Sequence, residues 1–166
     1  MPRTRVIPDG QVFSIIQRML DEGGEKAVSF GTVSTATGLA PPSLVQRYGS
    51  RDAMVRAARL AAWDALDVRL AEAVVQTAGK GPQGLLKALG PVNAAAIASD
   101  LRDPELAGRA ANWRMAVEAA LTDRMGNGNK ARESAALLFA AWQGQALWSA
   151  AGESAFRLKD AVKRLT

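Results

Sequence analysis

Apolar residues recur along this chain at the three- and four-residue spacing that puts them on one side of a helix. Val12, Ile15, Ile16, Met19 and Leu20 form the first such stripe and predict a helix over Asp9 to Glu22, stopped by Gly23-Gly24. A second, short helix is expected from Phe30 to Thr37. Ser29 stands where a side-chain oxygen can cap its free N–H groups, and Phe30, Val33 and Ala36 are its expected buried positions. Gly38 can close it by turning left-handed, with Leu39 as the apolar residue inside the turn. A third helix opens on Pro41-Pro42, where a missing N–H costs nothing, and runs to Tyr48. Leu44 and Tyr48 are expected toward the core of this small bundle, with Ser43, Gln46 and Arg47 on the other side.

The remainder reads as longer helices. Asp52 to Thr77 carries Trp63, Leu66, Leu70 and Val74 on one stripe, and Gly79-Lys80-Gly81-Pro82 breaks it. A less regular helix from Gln83 to Ser99 is expected to kink or split at Gly90-Pro91. Pro104 opens another, with Leu106, Ala110, Trp113, Val117 and Leu121 on one face. After the turn at Gly126-Asn127-Gly128-Asn129 come Lys130 to Ala151 and Glu153 to Leu165, separated at Gly152. The fold class is therefore all-α: an N-terminal three-helix bundle over residues 1–50, followed by a larger helical bundle over 51–166.

Composition supports this. The chain has 166 residues, 48% apolar but only 5% aromatic, and is rich in Ala. Ala is the best helix former, whereas β-branched and aromatic residues favour strands. There is no Cys and no His, which removes disulfide scaffolds, the usual zinc sites, thiol nucleophiles and imidazole bases together. Asp100, Asp103 and Glu105 cluster at a helix start, where carboxylates complement the helix dipole. Gly79-Lys80-Gly81 and the Gly126 turn lack phosphate-loop spacing. No catalytic residue, metal or cofactor is expected, and the chain is not read as an enzyme.

The formal charge is +5. Eight basic and five acidic side chains fall in residues 1–59, against thirteen and eleven in 60–166, so the excess is denser in the first third. That is the distribution expected where this part meets phosphate. No apolar signal segment follows Met-Pro-Arg-Thr-Arg, and a cytoplasmic location is expected. The longest uncharged run, Ser134 to Gly152, approaches a membrane span in length. Its Gln143, Gly144, Gln145 and Ser149 fit a helix buried in an oligomer better than one in lipid.

Two short helices joined by a tight Gly-containing turn are the helix-turn-helix arrangement, whose second helix enters the DNA major groove. Pro41, Pro42 and Ser43 then occupy the turn that reaches base edges. Ser43 and Gln46 can hydrogen-bond bases, Gln most naturally adenine, and the proline methylenes can meet a thymine methyl. Arg47 is assigned to phosphate. Arg3 and Arg5 form a basic arm ahead of the first helix, placed to enter the minor groove or lie on the backbone.

Gly24, Ser29, Val33-Ser34, Gly38-Leu39-Ala40, Ser43-Leu44-Val45, Arg47-Tyr48, Ser50-Arg51-Asp52 and Met54 stand at the spacing of the TetR family of one-component transcriptional regulators. From Ile15 to Met54 the chain resembles that family without insertion or deletion. The family's frequent phosphate-contacting Tyr is Val45 here. Its Thr ahead of the second helix is Val28, its Ser at the recognition-helix cap is Ala40, and its Lys at the next helix start is Arg51. The resemblance implies a homodimeric repressor of a palindromic operator, released by a small molecule that enters the second domain. It adds Ser29, Tyr48 and Arg51 to the DNA-contacting set. In such a protein the second core doubles as the ligand site, for which Trp63, Leu66, Asn93, Trp113, Val117, Trp142 and Gln143 are the candidates. The last two helices would form a four-helix interface through Ala136, Ala140, Gly144, Trp148, Leu158, Val162 and Leu165, with Ala155 on the same stripe. The alternative is a helical dimeric interaction or ligand-binding protein of the same fold with weak or no DNA binding.

Overall fold

The computed structural model describes residues 7–152 and 157–165. Among them are nine α-helices and no strand: α1 (Asp9–Gly23), α2 (Phe30–Thr37), α3 (Pro41–Tyr48), α4 (Arg51–Gln76), α5 (Pro82–Leu89), α6 (Ala94–Asp100), α7 (Pro104–Arg124), α8 (Gly128–Trp148) and α9 (Leu158–Leu165). Single 3-10 turns lie at Glu25–Ala27 and Ser149–Ala151. No helix among the described residues is long and apolar enough to cross a membrane. The chain divides into two compact units, one through Asp64 and one from Ala65. The division thus falls inside α4, later than the residue-50 boundary expected from sequence. The reason is packing: Met54, Val55 and Ala58 of α4 belong to the first core.

In the first unit, α1 buries Val12 and Ile16, one turn apart, against Val28, Val33 and Leu44 of the same cluster. Ser29 caps α2: its Oγ accepts from the Thr32 N–H at 3.1 Å, while Thr32 Oγ1 accepts from the Ser29 N–H at 2.9 Å. Two orphan donors at the helix start are satisfied reciprocally, with Thr in the role Glu or Gln usually takes. Ala36, an expected core position, is exposed. The helix buries Val33 and, one turn on, Thr37 instead. The Thr37 hydroxyl donates to the Val33 carbonyl at 2.7 Å and accepts from the Leu39 N–H at 3.2 Å. It therefore closes the end of α2 and fixes the first step of the turn.

Gly38 makes that turn with φ 74° and ψ 8°, the left-handed region in which a Cβ is costly. Leu39 is buried and Ala40 is the N-cap of α3, so Gly38, Leu39 and Ala40 join the two helices. The Ala40 carbonyl accepts from both Ser43 and Leu44 N–H, at 2.9 and 3.3 Å.

In the second unit, α7 buries Leu106, Ala110, Trp113, Val117 and Leu121. It packs along α8, which buries Ala131, Ser134, Ala135, Leu138 and Trp142. The helix expected over Gln83 to Ser99 is two helices, α5 and α6. Gly90 exits α5 at φ 68°, and the Asn93 side chain caps α6 by accepting from Ala95 and Ala96 N–H, both at 3.1 Å. Arg124 ties the end of α7 to the end of α4: Nη2 donates to the Val74 carbonyl and to Thr77 Oγ1, each at 3.2 Å. The last helix is described from Leu158, and Glu153 to Phe156 of the expected helix, including Ala155, lie outside the described residues.

Two substitutions to alanine should act with opposite sign. Gly38→Ala meets no neighbour but must hold a left-handed backbone, so urea unfolding should show a loss of about 1 kcal/mol. Gly108→Ala, on an exposed turn of α7 with open space around it, should gain about 0.8 kcal/mol from helix propensity.

Candidate nucleic-acid interface

α3 presents most of its side chains to solvent. Leu44 is fully buried, Tyr48 is half-buried, and Pro41, Pro42, Ser43, Val45, Gln46 and Arg47 are exposed. An eight-residue amphipathic helix anchored by one leucine leaves Pro41, Pro42, Ser43, Val45 and Gln46 uncovered. Its front carries no free backbone donor. Pro41 and Pro42 have no N–H, and the Ser43 N–H is used by Ala40. Helix N-termini commonly bind anions through such donors; the front of α3 offers only side chains. Ser43 and Gln46 are exposed, and no hydrogen bond ties either side chain to the described residues. Val45 sits between them at 44% exposure and supplies only apolar contact.

The basic groups expected at phosphate are already engaged. Arg47 Nη1 donates to the Ile7 carbonyl at 2.9 Å and to Asp9 Oδ1 at 3.3 Å. Tyr48 donates its hydroxyl proton to the same Asp9 oxygen at 2.5 Å and packs its ring 5.9 Å from Phe13. The end of α3 is thereby fastened to the start of α1. Arg51 Nε donates to the Val28 carbonyl at 3.0 Å, Nη1 to Asp52 at 2.8 Å, and Nη2 to the Glu25 carbonyl. Arg59, nearly buried, pairs with Glu25 at 2.8 Å. These guanidiniums staple the loop between α1 and α2 onto α4. Ser29 is spent on its cap. Arg3 and Arg5 lie outside the described residues.

The second-unit candidates separate into core and surface. Trp113, Val117 and Trp142 are buried, and Trp113, Phe139 and Trp142 stack as a cluster with ring centroids 5.9 to 6.3 Å apart. The Trp113 Nε1–H donates to the Leu66 carbonyl at 3.3 Å. These residues fill the space between helices. Leu66 is half-buried, and Asn93 is exposed with its side-chain oxygen on the α6 cap; Trp63, also a candidate, is buried but belongs to the first unit. Gln143 Nε2 is a buried donor with no acceptor among the described residues. Open space lies to one side: a cavity of about 490 Å³ between α5, α8 and α9, with Leu86, Pro91, Trp142 and Leu158 in its walls. Of the candidate ligand residues, Trp142 alone reaches it.

The candidate interface residues also divide. Ala136 and Ala140 are exposed, Trp148 is 68% exposed, and a Cβ at Gly144 would meet nothing. Leu137 and Leu147, at 59% and 58%, extend the same uncharged side of α8. Leu158, Val162 and Leu165 are half-buried against their own α5 and α8, and the Leu165 carbonyl accepts from Ser134 Oγ at 2.9 Å. No group of three or more His, Cys, Asp or Glu among the described residues is placed to hold a metal ion.

Sequence reasoning missed Asp9, Thr37 and the Glu25 carboxylate. Asp9 meets its partners across nearly forty residues, and no local pattern announces such a contact. Thr37 carried a readable signal, a hydroxyl one residue before a helix-ending glycine. Compared with known protein families, curated proteins and solved structures, the chain shows no match.

Tyr48 is the only tyrosine, so tyrosinate absorbance reads it alone. Burial first, and then the hydrogen bond to Asp9, push it up from 10.0 to about 12. Below pH 10 both folded and unfolded chains keep the proton and the stabilisation is complete. Between pH 10 and 12 the unfolded chain loses it first, so stability falls across that window. Asp9→Asn should lower the midpoint while leaving it above 10, because burial remains. An unchanged midpoint would separate Asp9 from Tyr48.

Proposed function

We propose that the chain is a DNA-binding transcriptional regulator of the helix-turn-helix type, similar to the TetR family, acting in the cytoplasm as a homodimer on a palindromic operator. The observation that carries this reading is the α2–turn–α3 geometry. Three residues join the helices, a left-handed glycine sets the exit, and the second helix buries only Leu44 fully while exposing Pro41, Pro42, Ser43 and Gln46 along one side. Such a helix fits a major groove, with its front residues at base edges. The exposed apolar side of α8 supports self-association, which a reader of two half-sites requires. α4 belongs to both units, so a ligand favouring one arrangement of the second unit has a continuous helix through which to bias the first.

The engagement of Arg47 and Arg51 favours a second reading, a helical interaction or ligand-binding protein of this fold with weak DNA affinity. Selection of fragments from host genomic DNA by the purified protein, repeated across salt concentrations, distinguishes the two. A regulator enriches a palindrome, and its affinity falls steeply with salt through counterion release. The second reading yields no enrichment.

On the enriched site, Gln46→Ala should alter preference at one base position by about 1–3 kcal/mol. Arg47→Ala should weaken all sequences alike and also loosen the fold, because it removes the bonds to Ile7 and Asp9. Equal loss on every sequence from Gln46→Ala would take that residue off the base-reading surface.

Leu137→Asp should yield a folded monomer that no longer holds the palindrome, as read by light scattering and DNA retention, since Leu137 is exposed in the single chain. Leu158→Asp is a poorer probe because its side chain is half-buried in its own unit. A Leu137→Asp chain that stays dimeric would remove α8 from the interface.

A further inference from the structure

The cavity between α5, α8 and α9 has a lining of uneven character. Trp142, Pro91 and Leu158 give it flat and apolar walls, and its one charged lining residue is Lys87. Lys87 is exposed, and no carboxylate or other acceptor among the described residues engages its ammonium. Its place in the last turn of α5 suits the helix dipole. That accounts for a cation at this turn and leaves the apolar surface beside it unexplained. Two features converge here: open volume in the size range of small-molecule sites, and an unpaired positive charge at its edge.

We propose that this cavity binds a small organic monoanion with a flat apolar body, an aryl carboxylate, its ring against Trp142, Pro91 and Leu158 and its carboxylate at Lys87. The assignment rests on the reading of the second unit as a sensor and names the chemistry of what it senses. The ring supplies most of the affinity by leaving water. The charge supplies selection. A single ammonium on a flexible stem, with no second cation beside it in the lining, suits one negative charge better than a phosphate dianion. Ser149 narrows the choice further. Its hydroxyl proton goes to the Ala146 carbonyl at 2.8 Å, so toward a ligand it offers lone pairs and disfavours a second acceptor at that wall.

Calorimetric titration of the full chain, without DNA, with 1-naphthoate and its neutral amide tests the site. Naphthoate should bind, and the amide should bind about fivefold more weakly, the scale of a partly exposed ion pair. Lys87→Gln should erase that preference. Ala146→Trp, which fills the cavity, should abolish binding of both, and the exposed Lys87 variant decides the matter if the tryptophan chain does not fold. Equal binding of the two compounds to the native chain, binding of neither, or a preference that survives Lys87→Gln would each overturn the proposal. DNA retention measured with and without naphthoate forms a separate arm. Naphthoate bound by a chain that retains no DNA upholds the site and sinks the regulator. DNA retained by a chain that binds no naphthoate does the reverse.

Discussion

An eight-residue helix has too few turns to persist alone in water, so α3 exists only through what holds it. One fully buried side chain, Leu44, anchors its middle. At the front, Gly38 and the Thr37 hydroxyl set the direction of entry, and Leu39 is pinned beneath. At the back, Arg47 and Tyr48 are fastened to Asp9 and Ile7 at the start of α1. Ser43, Val45 and Gln46 on its outer side are exposed. A helix held by its two ends and one leucine can vary its outer residues at little cost in stability, which is the condition for a surface that recognises something.

The same anchoring limits the electrostatics. Arg47, Arg51 and Arg59 are three of the eight basic side chains of the first unit, and each is tied to a carbonyl or carboxylate of the protein itself. A guanidinium has five donors, and Arg47 and Arg51 each retain some. Phosphate contact by Arg47 would use its remaining donors or draw it from Asp9. The formal excess of basic residues therefore overstates the charge presented to a polyanion.

Much of the architecture was legible in the sequence because helical periodicity and glycine punctuation are local signals. The stripe from Val12 to Leu20, the Ser29 cap, the Gly38 exit and the split at Gly90-Pro91 all follow from neighbours within a few positions. Long-range pairings were not legible. The clasp of Asp9 on Tyr48 depends on how three helices pack, as does the Glu25 staple of Arg59. The role of Asn93 was obscured by chemistry rather than distance, since a polar residue before an apolar run serves a cap and a ligand equally well in one dimension. The position of open volume was not legible for a related reason. Large aromatic residues mark where space is filled, and the open volume in the second unit lies beside them, where α9 approaches α5 and α8.

The paired prolines at the front of α3 have a thermodynamic consequence apart from their missing donors. Their rings fix φ at two successive positions, so the leading edge of the helix is already rigid before any partner arrives. Ordering a flexible recognition loop consumes part of the binding free energy. Here that cost is met during folding, by restricting the unfolded chain. An edge so prepared makes slow adaptation to varied partners difficult and favours a narrow set of surfaces that fit its fixed outline.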